Sequence, residues 1–359
     1  MILEKIKLIN FRNYLHQEIN FGEGINFIFG ENASGKTNLI EGIYFLSLSR
    51  SFKKNKEAEL IQKNYNNLFI QGVIRSESVD KIEIYSDKNA KKITINGKSE
   101  RKISSLTKYI NCIVFRPEDT SLFKDSPSIR RSLLNLSISK VSETYRTNLL
   151  SYEKILLLRN NELKKESVNE KYIEVLTDQL IKLCYSIDKE RHVFLTQINK
   201  HISSIFNDIS GYKSKVVIRN KYFVNDFENY LQEAKVKFIN SYSEDLRQKV
   251  TTNGIHKEDF ELLIDGRNVG LSGSQGENRM ASIAFKLSMY FLQESKIVKP
   301  IILLDDVLSE LDEKHEERLI NHLRNYEQVF ITSSKRTKYK FDNVYKVKNG
   351  AVQKENDNG

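Results

Sequence analysis

The chain has 359 residues, of which 39% are hydrophobic and 29% charged, and its formal net charge is +10. Those proportions fit a folded globular protein with a heavily charged surface, long enough for one large core or two coupled ones. No apolar run approaches the ~20 residues that span a bilayer. The two cysteines, Cys112 and Cys184, lie too far apart and too isolated to suggest a disulfide framework or a zinc site. The expectation is a cytoplasmic protein without a membrane segment. A basic balance favours polyanionic partners, but the lysines are spread along a chain rich in Lys, Asn and Ile, so charge alone does not single out nucleic acid.

The N-terminus alternates apolar and charged residues from Met1 to Leu8, which reads as a strand and not as a signal peptide. Leu3, Ile6, Leu8 and Phe11 mark that strand, and Ile25-Asn26-Phe27-Ile28-Phe29 marks a second, with Gly22 and Gly24 between them. The second strand runs directly into Gly30-Glu31-Asn32-Ala33-Ser34-Gly35-Lys36-Thr37, and an apolar helical stretch follows from Leu39. This is the G-x-x-x-x-G-K-[ST] phosphate loop between a strand and a helix. Its glycines let the backbone close around phosphates with N–H groups pointing inward, and the helix start adds unpaired donors and the positive dipole end. Lys36 brings a point charge to the β- and γ-phosphates, and the Thr37 hydroxyl suits Mg²⁺.

A basic, polar segment comes next, with Arg50, Lys53, Lys54 and Lys56. Strands are expected over 68–74, 82–85 and 93–95, with Asn96-Gly97 as a hairpin turn, and another apolar rise over 110–115. The period then becomes helical. A helix should start at Ser126-Pro127, and a long one should cover 172 to about 209, its stripe formed by Ile173, Leu176, Leu180, Leu183, Ile187, Phe194, Ile198, Ile202 and Ile205. Tyr145, Leu149, Tyr152, Ile155 and Leu156 offer it an antiparallel partner, across a polar link over 164–171. Residues 212–250 are ambiguous, with a strand at 216–218 and a helix near 227–238. A strand returns at 260–264 before Asp265-Gly266, and the tail after Gly350 reads as disordered.

A phosphate loop needs an acidic partner for its metal. Pro300-Ile301-Ile302-Leu303-Leu304-Asp305-Asp306 supplies one: four apolar residues form a buried strand, and two carboxylates emerge at its C-terminal end, where open α/β sheets bind ligands. Asp305 is placed to hold Mg²⁺, and Asp306 to act as the base or positioner for an attacking water. Ser309-Glu310-Leu311-Asp312 follows. Before the strand, Leu271-Ser272-Gly273-Ser274-Gln275-Gly276-Glu277-Asn278-Arg279 opens a helix.

This order of motifs resembles the ATP-binding-cassette ATPases, in which the signature loop of one protomer completes the ATP site of another. Either Ser272 or Ser274 can be read as the signature serine, and Ser274 leaves the right spacing to Arg279. Phe11-Arg12-Asn13 and Gly35-Lys36-Thr37-Asn38 resemble the DNA-repair branch that includes SMC heads. Adding Arg50-Ser51-Phe52, Phe115-Arg116-Pro117-Glu118-Asp119, Ser126-Pro127 with Arg130 and Arg131, Leu158-Arg159-Asn160, and the run from Leu303 to Asp312, the chain is similar to the RecF family over nearly its whole length. It departs from that family at Gly254-Ile255-His256-Lys257-Glu258-Asp259, where G-P-H-R-D-D is usual, and at Arg130-Arg131-Ser132-Leu133-Leu134-Asn135, where three arginines and then an aspartate are usual.

The resemblance implies an α/β, ABC-type ATPase head: a phosphate-loop lobe with mixed β-sheet over 1–118 and 298–359, and a mainly helical lobe over 119–297 that carries the signature. It implies ATP and Mg²⁺ as cofactors, with Arg12, Ser274 and Asp312 joining residues 30–37 around the nucleotide, and Thr37 and Asp305 on the metal. Its further implications are an ATP-dependent homodimer, DNA held through Arg50, Lys53, Lys54, Lys56, Arg130 and Arg131, and work with RecR and RecO ahead of RecA at gaps. Slow hydrolysis by Asp306 would be the release step. Competing expectations are an SMC-like or defence ATPase driving a nuclease, and the ATP-binding subunit of a transporter; a helical region of ~85 residues is short for SMC coiled coils.

Overall fold

The computed structural model describes residues 1–53, 57–220, 226–293 and 299–355. The chain runs β1 (Ile2–Phe11), β2 (Tyr14–Asn20), β3 (Gly24–Phe29), α1 (Lys36–Leu48), β4 (Asn67–Arg75), β5 (Val79–Asp87), β6 (Lys91–Ile95), β7 (Lys98–Glu100) and β8 (Cys112–Phe115). Four helices follow, α2 (Pro127–Val141), α3 (Glu143–Leu163), α4 (Glu170–Asn199) and α5 (Ile202–Ser210), then β9 (Val216–Asn220), α6 (Phe227–Gln248), β10 (Phe260–Ile264), β11 (Arg267–Asn268), α7 (Val269–Ser272) and α8 (Gln275–Ser288). The chain closes with β12 (Ile301–Leu304), α9 (Glu313–Leu323), β13 (Gln328–Ser333), β14 (Asn343–Lys348) and β15 (Ala351–Glu355). No described helix is long and apolar enough to cross a membrane.

Two compact units result. The first comprises 1–120, 205–212 and 286–359; the second comprises 121–204 and 213–285. Within the first unit lie two six-stranded sheets, one ordered β2-β1-β4-β5-β6-β7 and the other β15-β14-β3-β13-β12-β8. Every pair in the first sheet is antiparallel, and Asn67–Arg75 alternates fully buried with partly exposed residues throughout. In the second sheet β14, β3, β13, β12 and β8 are parallel neighbours, and Ile301–Leu304 is buried at all four positions. Helix α1 contacts strands of both sheets, which is why 11 of its 13 residues are buried and why its apolar residues surround it instead of forming a stripe. Gln328, at the start of β13, exchanges hydrogen bonds with both backbone groups of Leu3 (2.8 and 3.0 Å) and donates to the Gly22 carbonyl (2.9 Å), so one buried amide ties the two sheets.

The second unit is helical with a three-stranded sheet, β11-β10-β9. Its helices carry side-chain caps: Ser142 accepts from the Tyr145 amide, Asn169 from Tyr172, and Asp226 from Asn229. Ser126 stands at the N-cap of α2 without a side-chain cap, and Pro127 opens the helix. The Leu158-Arg159-Asn160 motif is a structural clamp. Buried Arg159 on α3 donates to Asp245 (2.7 Å), Thr251 (2.8 Å) and Thr177 (3.0 Å), and Asn160 accepts from the Thr251 amide and hydroxyl. His256 is structural too: its Nε2 meets the Thr251 carbonyl (3.0 Å) and its Nδ1 the Tyr152 hydroxyl (2.6 Å), an arrangement that a neutral ring satisfies. Burial lowers its pKa, in keeping with that state.

Two expectations need correction. The predicted single helix over 172–209 is two, α4 and α5, separated at Lys200 and His201. There Asn199 pairs with both backbone groups of Ile218 (2.6 and 2.8 Å) and the Ser203 hydroxyl bridges Val216 and Ser214, so the break lies where side chains pair with the backbone of β9. The tail is not disordered as far as Glu355: Asn349 and Gly350, both at positive φ, turn β14 into β15, a tight-turn pair that the sequence contained.

Removing one member of the Arg159–Asp245 pair leaves a buried charge uncompensated. Arg159→Met is expected to cost about 3–5 kcal/mol, read as the shift in the urea unfolding of the full chain. A loss under about 1 kcal/mol would show that the clamp contributes little.

Candidate nucleotide site

The phosphate loop is the turn from β3 into α1, and other segments build its walls. Gly30 lies against β14 so closely that a Cβ there would meet the Val347 carbonyl at 2.2 Å. Gly35 has φ 122°, and a Cβ would sit 2.6 Å from the Asn13 side chain. Asn13 donates to the Ser34 carbonyl (3.0 Å) and accepts from Asn38 (2.9 Å), Tyr14 donates to the Gly35 carbonyl (2.9 Å), and the Gly350 amide donates to the Ser34 carbonyl (3.0 Å). The loop is therefore gripped by the β1–β2 turn on one side and the β14–β15 turn on the other. Asn13 appeared in the sequence only as part of a resemblance; Tyr14 gave no signal, and Gly350 only that of a turn.

Within this frame Lys36 donates to the Gly30 (2.7 Å) and Glu31 (2.9 Å) carbonyls of the loop itself. Burial lowers its pKa, while Asp306 and Asp305 pull it back up. The Thr37 hydroxyl donates to Asp305 Oδ1 at 2.9 Å. Asp305 follows β12, which lies two strands from β3 with β13 between them. Thr332 on β13 contacts the same carboxylate oxygen at 3.0 Å, and its hydroxyl oxygen accepts from the Asp306 amide at 2.9 Å. Asp306 has φ 54°, a conformation uncommon for a residue with a side chain.

Burial raises the pKa of both aspartates; hydrogen bonds from Thr37 and Thr332 work against this at Asp305, and the Lys36 charge does so at Asp306. Asp306 Oδ1 and Ser34 Oγ are buried without a hydrogen-bond partner. A tightly held loop ahead of a helix start, a lysine and two acids, with unpartnered oxygens on Asp306 and Ser34, suits a phosphate chain with a divalent cation.

The remaining sequence-predicted residues are distributed more widely. Arg12 makes a two-pronged contact with buried Glu41 on α1 (2.8 and 2.9 Å) and donates to the Glu59 carbonyl (2.9 Å). Glu41 also accepts from Ser51 and pairs with Lys53 (3.4 Å), so Arg12 and Lys53 share an acid that the sequence reading overlooked inside an apolar helix. Arg50 is exposed; Lys54 and Lys56 lie outside the described residues. Asp312 caps α9, accepting from the Lys314 and His315 amides (3.0 and 3.1 Å).

Ser274, Arg130 and Arg131 belong to the second unit. Ser274 and Glu277 form a reciprocal capping box at the start of α8 (2.7 and 3.1 Å), both backbone amides being satisfied, and Leu271 beside it is 88% exposed. Ser272 bonds back to the Asn268 carbonyl (3.1 Å). The Arg130 guanidinium is buried and internally occupied by Asp259 (2.7 and 3.0 Å) and by the carbonyls of Leu122, Phe123 and Asp125, while Arg131 donates to the Glu258 carbonyl (2.9 Å).

The family model for the RecF/RecN/SMC N terminal domain matches residues 2–355. The "DNA replication and repair protein RecF" of Thermoanaerobacter sp. is 36% identical over 363 residues, covering 99% of this chain and 100% of the relative. The protein of the same name from Clostridium acetobutylicum is 36% identical over 362 residues, at 98% and 99% coverage. Among solved structures, the recombination mediator protein RecF with ATP in the RecFOR pathway aligns with TM-score 0.87 and 33% identity, covering 99% of this chain and 97% of that one. An SMC head bound to the C-winged helix domain of ScpA aligns with TM-score 0.60 at 15% identity, covering 99% of this chain and 97% of that one, a likeness of fold.

A carboxyl whose pKa is raised on folding stabilises the fold below its unfolded pKa and loses that contribution as pH rises through the folded value. Asp305→Asn is therefore expected to raise the Tm of the nucleotide-free chain by about 2–4 °C near neutral pH, with the gain vanishing toward about pH 4. Calorimetry across pH checks this. A lowered Tm at neutral pH would show that the ionised carboxylate stabilises the fold.

Proposed function

The chain belongs to the RecF/RecN/SMC N-terminal-domain family and, within it, to the RecF proteins of DNA replication and repair, and from that membership we propose that it is an ATP-switched DNA-binding protein acting in recombinational repair. The observation that carries the reading is the Thr37–Asp305 hydrogen bond, which joins the phosphate loop to the acidic strand across 268 residues of sequence. ATP with Mg²⁺, when bound, supplies a phosphoanhydride and a charge bridge between these two elements. The loop amides and Lys36 would hold the phosphates, Thr37 and Asp305 the metal. Asp306 would orient or deprotonate water, and its orphaned oxygen is available for that role.

Ser274 stands exposed at the head of α8, in reach of a second molecule, and would complete the site of a partner protomer. A nucleotide that favours the dimer drives association by mass action, worth about 2.7 kcal/mol per site at a hundredfold excess over Kd. Hydrolysis then resets the clamp slowly. Asp306 is one methylene shorter than the glutamate usual after the metal aspartate in transporters, and Ser333 stands where they carry a histidine. DNA contacts fall to the exposed Arg50 and the partly exposed Lys53 of the first unit, with contacts to the DNA backbone and steep salt dependence. RecR and RecO are the proposed protein partners, with RecA loading downstream.

Lys36→Met is expected to abolish ATP-dependent dimerisation, and Asp306→Asn to retain it while slowing turnover by about tenfold or more and prolonging the closed state. Sedimentation velocity with ATP, alongside phosphate release on gapped DNA, tests both. An Asp306→Asn chain that stays monomeric with ATP, or a wild-type turnover as fast as a transporter's, would overturn the assignment.

A further inference from the structure

Thr332 is fully buried on β13, between β3 and β12, and no motif marks it. A strand core accepts valine, which has the same shape, at least as readily, and burying a hydroxyl costs free energy unless its hydrogen bonds are made. Here they are made, and all at one place. The Thr332 hydroxyl lies 3.0 Å from Asp305 Oδ1 and 3.5 Å from the Leu304 carbonyl, and it receives the Asp306 amide at 2.9 Å. A hydroxyl has one proton to give, and the shorter contact assigns it to Asp305.

The consequence is a division of labour between two adjacent acids. Successive side chains of a strand point to opposite faces, so consecutive aspartates could not otherwise act together. At Asp306 the chain leaves the extended conformation for φ 54°, with its amide held on Thr332, and the charges of both aspartates act on Lys36. Asp305 Oδ1, meanwhile, is held by Thr332 on one side and by Thr37 on the other. Thr37 is a residue of the phosphate loop. Were its hydroxyl to serve a metal instead, Thr332 would be the side chain left to hold the Asp305 carboxylate in place.

We infer that Thr332 is a positioning residue for hydrolysis, holding Asp305 toward the metal and Asp306 in its turned conformation through one buried hydroxyl. This rests on the nucleotide reading above. The test compares Thr332→Ser, Thr332→Val and Thr332→Ala in the full chain. Three readouts are used: Mg²⁺ titration of the binding of a fluorescent ATP analogue, kcat and KM for ATP on gapped DNA, and nucleotide-free unfolding.

Thr332→Ser should match the wild type. Thr332→Val should keep KM within about threefold but need about tenfold more Mg²⁺ for half-maximal binding and lose ten- to hundredfold in kcat, the scale of one hydrogen bond to a charged group. Should the valine chain fail to fold, Thr332→Ala carries the same expectation. Wild-type Mg²⁺ dependence and kcat in the valine or alanine variant would overturn the role, as would a serine variant as impaired as valine. A wild-type chain that binds no ATP with Mg²⁺ would instead sink the nucleotide reading itself.

Discussion

The parallel register of β3, β13 and β12 is the constraint on which the candidate site depends, and the hydrogen bond from Thr37 to Asp305 is its result. For it to form, two strands that are distant in sequence must end at the same level of one sheet. The parallel register sets that level: Ser333 of β13 pairs with Phe29 of β3, and Leu304 of β12 pairs with Ile331. A parallel sheet puts all its strand C-termini at one edge, so the phosphate loop, the acidic pair and Thr332 emerge together. The antiparallel sheet and the final hairpin serve that edge from outside, through Asn13, Tyr14 and Gly350.

Buried charge is the second recurring device. In the first unit Lys286 is almost fully buried and is held by Asp119 (2.6 Å) and the Val114 carbonyl (2.7 Å). Asp119 in turn receives the Arg116 amide (2.8 Å), which gives the Phe115-Arg116-Pro117-Glu118-Asp119 motif a structural meaning. In the second unit Glu258, where the family usually has aspartate, is pushed up to about 8 by burial and by the neighbouring Asp188. Charges placed this way cost free energy unless paired, so they specify which elements meet more than they add to stability.

Much of this was legible from local pattern. The strand–loop–helix around Lys36, the acidic strand, the Asn96-Gly97 hairpin and the start of α2 at Pro127 each follow from a signal within a few residues of one another. The failures have a common cause. The helix over 172–209 breaks at Lys200 because Asn199 and Ser203 bond to β9, and no periodicity within the helix records that strand. Glu41 carries no signal of its own inside an apolar helix, and its role shows only once Arg12, Ser51 and Lys53 are seen around it. Arg130 looks like a surface cation until Asp259, 129 residues later, takes both its prongs.

The amino-acid sequence by itself carried the proposed chemistry of the site: which backbone would wrap phosphate, which lysine and threonine would face it, and which two acids would serve a metal. Those properties belong to short segments, whose geometry follows from glycine, strand and helix rules alone. Tertiary structure decided what each charged or hydroxyl group is free to do. Whether Arg12 or Arg130 is available to a ligand, and whether Thr332 is core or machinery, depends on partners brought near by folding, since a hydrogen bond acts over about 3 Å regardless of distance along the chain.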